Sequence, residues 1–129
     1  MQRERSKKHV SQLKMAKPSQ REKKRYIVYE IKATEKFEFS AVKKTIFDVC
    51  HKYIGEFGVY KARLNIMANT YSNNKGIFRV TNRQANDVKE CIAMIKEING
   101  KKASMDIIGI SGILKKAKNK FLRLNKRGR

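Results

Sequence analysis

Apolar residues first form a short run in this chain and then recur at helix spacing, and this pattern predicts its first two elements. Residues 26–31 are rich in β-branched and aromatic side chains and predict a strand. A helix is predicted to follow from Ser40, a good N-cap residue, because apolar positions recur there at steps of three and four. This apolar stripe consists of Val42, Ile46, Val49, Tyr53 and Phe57. We expect Gly55 and Gly58 to end the helix.

The middle of the chain predicts a pair of strands. Residues 60–67 alternate between apolar and polar side chains, which is typical of a half-buried strand. A turn cluster at 72–76 then leads into a short returning strand over 77–80. We therefore expect an antiparallel hairpin in this part of the chain.

A second helix and a last strand complete the pattern. The helix is predicted to begin at Asn82 and to stop at the Asn99-Gly100 pair. Its apolar stripe consists of Val88, Cys91, Ile92, Ile95 and Ile98. A strand over 101–108 follows, so the order is strand, helix, strand, strand, helix, strand. This order predicts the α+β class with a ferredoxin-like (split βαβ, RRM-like) fold, in which a four-stranded antiparallel sheet carries both helices on one face.

Basic residues dominate both ends of the chain. The 129 residues include 32 Lys and Arg against 11 Asp and Glu, so the net charge is +21. Residues 1–24 hold nine basic residues and two acids, and residues 113–129 hold eight and none. We predict a basic N-terminal arm over 1–24, mobile or helical only on binding, a single ferredoxin-like domain over 25–112, and a basic C-terminal helix and tail over 113–129. Charge of one sign favours a polyanionic partner, and nucleic acid is the first candidate.

Several basic residues lie on or beside the predicted strands and on the C-terminal helix, where we expect them to contact RNA phosphates. We interpret Gly109 and Gly112 as hinges before that helix, so the start of the last strand and the helix should form one continuous basic strip. The predicted RNA-binding residues are Lys75, Arg79, Lys101, Lys102, Lys115, Lys116, Lys118 and Lys120. Residues 75–82 begin like the RNP1 pattern of the RNA recognition motif, but Arg79 and Asn82 replace its stacking aromatic residues. Recognition of the backbone or shape of folded RNA is therefore favoured over reading of single-stranded bases.

A few apolar and aromatic residues exceed what two helical stripes need, and they predict a protein interface. These residues are Tyr29, Phe57, Tyr60 and Met67. The alternative, an ordinary place in the core, stays open because single exposed apolar residues are normal in soluble proteins.

The sequence contains no cluster of residues that points to catalysis. The nine acids of residues 25–112 are scattered, and no Ser-His-Asp or Cys-His arrangement is visible. Cys50 and Cys91 fall near the apolar stripes, which is typical of reduced core thiols, and two isolated histidines do not complete a metal site. No apolar run approaches the roughly 18 residues that span a bilayer, and no secretory signal is predicted. We therefore expect a cytoplasmic protein without a membrane partner.

Four segments taken together resemble a known family. They are residues 25–27; residues 55–58 with 61–62; residues 75–79; and residues 95–101 with 109–113. Over residues 25–121 the chain is similar to the archaeal ribonuclease P protein component two family, the relatives of the eukaryotic Pop-five-type subunit of ribonuclease P and MRP.

The resemblance implies a role that composition cannot show. It implies a non-catalytic subunit of a tRNA-processing ribonucleoprotein endonuclease, which removes the 5′ leader of precursor tRNA through its RNA subunit and magnesium ions, with no cofactor on the protein itself. It also implies a heterotetramer with an Rpp-thirty-type subunit, contacts with the ribonuclease P RNA and other ribonuclease P proteins, and only indirect contact with precursor tRNA.

Two alternatives remain: a stand-alone RNA-binding or ribosomal protein that uses the same sheet, and a catalytic nuclease, which the scattered acids disfavour.

Overall fold

The computed structural model describes residues 22–123, with side chains up to Lys120, so most of the predicted N-terminal arm and the end of the C-terminal tail lie outside it. In chain order the elements are strand β1 (Lys24–Lys32), helix α1 (Phe39–Ala62), β2 (Asn65–Ser72), β3 (Lys75–Thr81), a 3-10 turn (Asn82–Gln84), α2 (Ala85–Ala93), β4 (Glu97–Ile98), β5 (Lys101–Lys102), β6 (Ser104–Ser111), α3 (Leu114–Ala117) and a π-helical continuation (Lys118–Arg123). Within the described residues, no helix is both long and apolar enough to cross a membrane.

The central sheet has the strand order β2-β3-β1-β6, and each neighbouring pair is antiparallel. Helices α1 and α2 cover one face of it, because alternate residues of each strand point to that face and are buried there. The strand residues in this core are Ile27, Tyr29, Ile31, Ile66, Phe78, Val80 and Met105. The predicted α+β, ferredoxin-like fold with both helices on one face is confirmed.

Helix α1 continues past its predicted end and changes direction at Gly55. This residue has φ 76° and ψ 172°, a non-helical conformation within residues Phe39–Ala62. A second helical segment follows it, and the backbone N–H of Arg63 (φ 48°) donates to the Tyr60 carbonyl to close that segment. The prediction of a strand over 60–67 is therefore wrong at its start, because Tyr60 is helical and β2 begins only at Asn65.

Residues with positive φ form the tight turns of both hairpins. Asn73 and Asn74 (φ 52° and 61°) join β2 to β3, as predicted. Asn99 and Gly100 (φ 54° and 78°) join β4 to β5. The prediction that Asn99-Gly100 ends a helix is wrong, because α2 already ends at Ala93 and two positive φ values suit a two-residue hairpin turn.

The segment after α2 fills the core without being helical. Ile95 and Ile98 are buried, as their place on the predicted stripe requires, although Ile98 belongs to β4. The β4–β5 hairpin interrupts the predicted strand over 101–108, and β6 therefore starts at Ser104 and runs on to Ser111. The prediction is therefore correct about which of these residues are buried and wrong about their helical conformation.

The conformation of Gly55 gives a first prediction. Only glycine adopts this region of φ and ψ without strain, so we expect Gly55→Ala to lower the free energy of unfolding by about 1–3 kcal/mol. Urea unfolding followed by circular dichroism measures this value. Gly112→Ala is the control, because Gly112 has no positive φ and an added Cβ would meet only the end of the Arg25 side chain. Equal stability of the two variants would contradict this explanation of the helix break.

The two cysteines give a second prediction. Cys50 and Cys91 are both buried and reduced, as predicted, and burial raises the pKa of Cys50 to about 12, with a further contribution from Cys91. Burial also raises the pKa of Cys91. At pH 8 both groups are therefore neutral thiols, and we expect a water-soluble thiol reagent to label neither cysteine in the folded chain and both in urea. Rapid labelling of the folded chain would contradict this.

Stability should fall at alkaline pH for the same reason. The Cys50 thiol has its ordinary pKa of 9.0 in the unfolded chain, whereas burial raises that pKa to about 12 in the folded chain. The neutral buried thiol stabilises the fold fully below pH 9, and this contribution is lost as the pH rises from 9 to about 12. Urea midpoints measured across this range check the direction, and a constant midpoint would argue against a buried thiol.

Candidate nucleic-acid interface

The sheet has a second face, opposite α1 and α2, and three rows of its residues across the strands bear on the site. Residues paired across antiparallel strands share a face, so the rows follow from the register. The first row is Asn65, Arg79, Tyr26 and Ser111. The second row is Met67, Ile77, Val28 and Gly109. The third row is Lys75, Glu30 and Asp106. The second face is thus polar at both ends and apolar in the middle.

Helix α3 lies on the apolar middle of the second face. Ala117 is completely buried with Val28 and Ile77, and Leu114 packs beside them. Tyr26, from the first row, is half-buried against the same cluster. The basic C-terminal helix is therefore attached to the sheet. Protein atoms cover the middle of the second face, where a base would have to stack.

The lysines of the C-terminal helix remain exposed to solvent to different degrees. Lys115, Lys116 and Lys120 are exposed, and Lys118 is half-buried. Within residues 22–123, no carboxylate forms an ion pair with Lys115, Lys116 or Lys118. The charges of these three lysines are therefore available to attract a polyanion.

Two arginines add positive charge where α3 begins. Arg79 lies in the first row, and its Nε atom is buried without a hydrogen-bond partner in the part of the chain that the structure describes. Nη1 of Arg25 lies 3.0 Å from the position that a Cβ atom on Gly112 would take. Gly112 follows Ser111 of the first row and leads into α3. We call this surface the basic end; it consists of Arg25, Arg79, Lys115, Lys116 and Lys118.

The lysines that were predicted to form one strip lie at opposite ends of β6. Lys101 and Lys102 form β5, and Nζ of Lys101 lies 3.4 Å from Oε2 of Glu35. Strand β6 then extends for about 26 Å, at roughly 3.3 Å per residue, before α3 begins. The prediction of a continuous strip is therefore wrong, and so is the hinge at Gly109, which is paired with Val28 inside the sheet. RNA contacts of Lys101 and Lys102 stay a prediction for a separate surface.

Lys75 also lies away from the basic end, in the third row. It is paired across the strands with Glu30, and Oε1 of that glutamate lies 3.4 Å from Nζ of Lys32. Asp106 pairs with Glu30 on the other side. Two lysines and two acids balance each other in this region, so it offers less attraction to RNA than the basic end does.

The helix layer carries little net charge, in contrast to the basic end. Residues 38–62 and 85–98, which contain α1 and α2, hold six lysines and six acids, and Arg63 and Arg83 adjoin these ranges. Some of these groups pair directly, and Nζ of Lys44 lies 2.8 Å from Oδ2 of Asp48. Positive charge is thus segregated away from the helices. Electrostatics therefore favours the basic end over the helix layer as the surface for a polyanion.

The predicted protein-interface residues fall into three environments. Tyr29 is completely buried in the core against Phe78, so its assignment to an interface is wrong: it points from β1 towards the helices. Met67 is half-buried on the second face beside α3. Phe57 and Tyr60 are each 70% exposed on α1, in the other layer. These last two stay candidates for an interface, and Met67 does not share their surface.

Two further side chains, Tyr53 and Met94, are exposed although the sequence did not predict it. They are 47% and 46% exposed. The helical stripe placed Tyr53 in the core, but the helix turns at Gly55, and the buried position one turn after Ile46 is Cys50. The small buried cysteine was the signal that the core-facing stripe shifts at this point. Met94 is exposed because α2 ends just before it.

The described residues bring no set of metal ligands together. Within residues 22–123 there is no group of three or more His, Cys, Asp or Glu side chains that could hold a metal ion. Nδ1 of His51 lies 2.9 Å from the carbonyl oxygen of Phe47, in its own helix. The chemistry that the basic end offers is that of Lys and Arg, which donate hydrogen bonds to phosphate and carry permanent positive charge.

Comparison with known proteins agrees with this architecture. A family model described as the Rpp14/Pop5 family matches residues 25–122. Ribonuclease P protein component 2 of Pyrococcus furiosus is 32% identical over 105 residues, which make up 81% of this chain and 88% of that protein. The protein of the same name from Methanocaldococcus jannaschii is 33% identical over 117 residues, or 91% of this chain and 86% of that protein.

A solved structure shares the fold. A chain in the cryo-EM structure of yeast ribonuclease MRP superposes with a TM-score of 0.61 at 10% sequence identity, over 84% of this chain and 92% of that chain. At this identity the likeness concerns the fold alone. The family match, in contrast, extends from the first strand to the C-terminal helix, and it shows that this chain belongs to the Rpp14/Pop5 family.

Proposed function

We propose that this chain is a non-catalytic protein subunit of ribonuclease P, which supports the catalytic RNA while the 5′ leader is removed from precursor tRNA. The observation that carries the proposal is the family match over residues 25–122 together with relatives named ribonuclease P protein component 2. The segregation of charge in the fold supports it, because a helix layer with little net charge and a basic end suit a protein held against RNA on one side.

The protein acts on the RNA through electrostatics and shape. Lys and Arg side chains of the basic end neutralise phosphates that folding brings close together, and this releases counterions. The RNA and its bound magnesium ions carry the cleavage chemistry in this proposal, and the protein holds no cofactor. Within the ribonucleoprotein, the chain pairs with an Rpp-thirty-type subunit in a heterotetramer, joins other ribonuclease P proteins, contacts precursor tRNA only indirectly, and resides in the cytoplasm.

The placement of α3 favours recognition of the RNA backbone. In an RNA recognition motif, aromatic residues on the open sheet face stack on bases. Here Leu114 and Ala117 occupy the middle of the corresponding face, and Tyr26 is half-buried beside them. The groups left for RNA are charged ends of long side chains, which bind phosphates and carry little sequence information.

Removal of the α3 lysines tests this RNA contact. We expect the triple variant Lys115→Ala/Lys116→Ala/Lys118→Ala to bind the ribonuclease P RNA more weakly. The plot of log affinity against log salt concentration should become less steep, its slope shrinking in magnitude by about two to three, since each phosphate contact contributes roughly 0.7–0.9. The control is Lys43→Ala/Lys89→Ala/Lys96→Ala, which removes the same charge from the helix layer. If both variants lose the same affinity, only the net charge matters and the basic end has no special role.

Reconstitution tests the function itself. The RNA subunit and its partner proteins are mixed with precursor tRNA, with and without this chain, and cleavage is measured over a range of magnesium concentrations. We expect the chain to increase cleavage most at low magnesium, because protein cations and magnesium ions screen the same phosphates. No effect at any magnesium concentration would favour the stand-alone RNA-binding protein. Cleavage by the chain without RNA would favour the nuclease.

A further inference from the structure

The tip of the β4–β5 hairpin brings together two groups that can react with each other. Of the nine asparagines in the chain, only Asn99 is followed by a glycine, Gly100. Both residues are exposed, and their φ values are 54° and 78°. An Asn-Gly pair suits a two-residue hairpin turn. It also places a side-chain amide next to a backbone nitrogen whose own residue has no Cβ to shield it.

Neither of these two groups is held by a hydrogen bond. Within residues 22–123, the Asn99 side chain and the backbone N–H of Gly100 take part in no hydrogen bond. The strand pairing that closes the turn belongs to the flanking residues Ile98 and Lys101. An added Cβ atom on Gly100 would meet no other atom within 4 Å, so there is open space around the turn. The amide carbon and the nitrogen can therefore change their relative position, and water can reach both.

The asparagines of the β2–β3 turn differ from Asn99 in these respects. Asn74 is 8% exposed, and its Oδ1 accepts a hydrogen bond from the backbone N–H of Phe37 at 2.9 Å. Its Nδ2 donates to the carbonyl oxygen of Glu35 at 2.8 Å. Asn73 is exposed, but the residue after it is Asn74 and not a glycine. The two turns thus share positive φ values and differ in the freedom of the side-chain amide and in the residue that follows it.

The tip of the β4–β5 hairpin can move without disturbing the main sheet. In the described part of the chain, β4 and β5 have two residues each and pair only with one another. Such a short ladder is marginally stable by itself. The base of the hairpin is held more firmly, because Ile98 is completely buried and the backbone N–H of Ala103 donates to the Lys96 carbonyl at 3.0 Å. Motion of the turn is therefore local, and the core stays folded.

We propose that Asn99 is a site of spontaneous covalent modification, at which the side-chain amide becomes a carboxylate with water as the only co-reactant. The backbone nitrogen of Gly100 loses its proton to solvent base and attacks Cγ of Asn99. A bond forms between these two atoms, and the bond from Cγ to the amide nitrogen breaks. That nitrogen takes up a proton and leaves as ammonia, and the turn now holds a cyclic succinimide. The attack is intramolecular, which favours it strongly over the same reaction between separate molecules.

Water then opens the succinimide ring in one of two ways. Hydrolysis of the bond between Cγ and the ring nitrogen gives aspartate with an ordinary backbone. Hydrolysis of the bond between the backbone carbonyl carbon and the ring nitrogen gives isoaspartate, whose backbone runs through the side chain and is longer by one carbon. Either way the chain takes up one water and releases one ammonia. The neutral amide of residue 99 is replaced by a negatively charged carboxylate.

The modification alters the surface that carries Lys101 and Lys102. A two-residue turn matches the pairing of Ile98 with Lys101, and the longer backbone of isoaspartate removes that match. Because Ile98 is anchored in the core, the displacement falls on β5, including Lys101, whose Nζ lies 3.4 Å from Oε2 of Glu35. The new carboxylate also lowers the positive charge beside these lysines, which weakens their attraction for a polyanion. The modification itself is independent of the proposed function, whereas its effect on RNA rests on that function.

Mass spectrometry of the incubated chain tests the proposal. The full chain is kept folded at mildly alkaline pH, and its peptides are analysed over time for replacement of the amide by a carboxylate and for isoaspartate. We expect Asn99 to convert at least about tenfold faster than Asn73 or Asn74 in the same sample, because only Asn99 has a free amide beside a glycine nitrogen. The rate should increase with pH, since the deprotonated nitrogen attacks. Equal rates at the three asparagines, or no conversion of Asn99 in the folded chain, would overturn the proposal.

Two variants separate the lost amide from the longer backbone. Asn99→Gly removes the amide, and a Gly-Gly pair still suits the turn. After equal incubation, the urea midpoint of the wild type should fall and that of Asn99→Gly should not. Freshly prepared Asn99→Asp carries the new charge on an ordinary backbone and should keep the midpoint of the fresh wild type. A fresh Asn99→Asp variant as unstable as the incubated wild type would overturn the role given to isoaspartate.

RNA binding by the modified form tests the consequence for the surface. Ion exchange separates the modified chain from the unmodified one because their charges differ. We expect the modified form to bind the ribonuclease P RNA about threefold or more weakly at low salt, with a smaller difference at high salt. Equal affinity of the two forms would overturn the consequence for RNA. The chain's effect on precursor-tRNA cleavage, measured separately with unmodified protein, decides whether the proposed function also fails.

Discussion

The central strand β1 buries both of its faces, and each layer of the protein is built against one of them. Ile27 and Tyr29 face α1 and α2, whereas Val28 faces α3. Both edges of the strand are also paired, with β3 and β6, so its backbone groups are satisfied within the sheet. Removal of apolar surface from water is the main stabilising term in folding. Because α3 covers Val28, the basic C-terminal helix is held in place on the sheet.

This two-sided strand separates the chemistry of the protein into two surfaces. On the α3 side, Arg79 of the sheet and Lys115, Lys116 and Lys118 of the C-terminal helix supply positive charge, for which a polyanion is the natural partner. On the other side, α1 and α2 balance their charges and expose aromatic rings. The thickness of the sheet and its two helical layers keeps the surfaces apart.

Periodicity alone predicted the order of the elements and most of the core. The apolar stripe of the predicted second helix led to buried positions that the structure confirms, including Val88 and Ile98. The misplaced boundaries at Gly55 and at Asn99-Gly100 have a common cause. A glycine with positive φ suits a helix end, a helix break or a hairpin turn equally well as a local conformation. Which of these occurs depends on where the following apolar residues can pack against the core. The position of the core is set by contacts between residues distant in sequence, so the local sequence does not specify it.

The same distinction applies to the candidate surfaces. Composition and spacing, read from the chain alone, are sufficient for the fold class, the excess of positive charge and the family, because each is a sum or a pattern over many residues. Pairing between distant strands was needed to show that Tyr29 is core, that Lys101 and Lys115 lie at opposite ends of β6, and that α3 returns across the sheet. A shift of one residue in register moves a side chain to the other face, and no local pattern specifies that register once both faces of a strand are apolar.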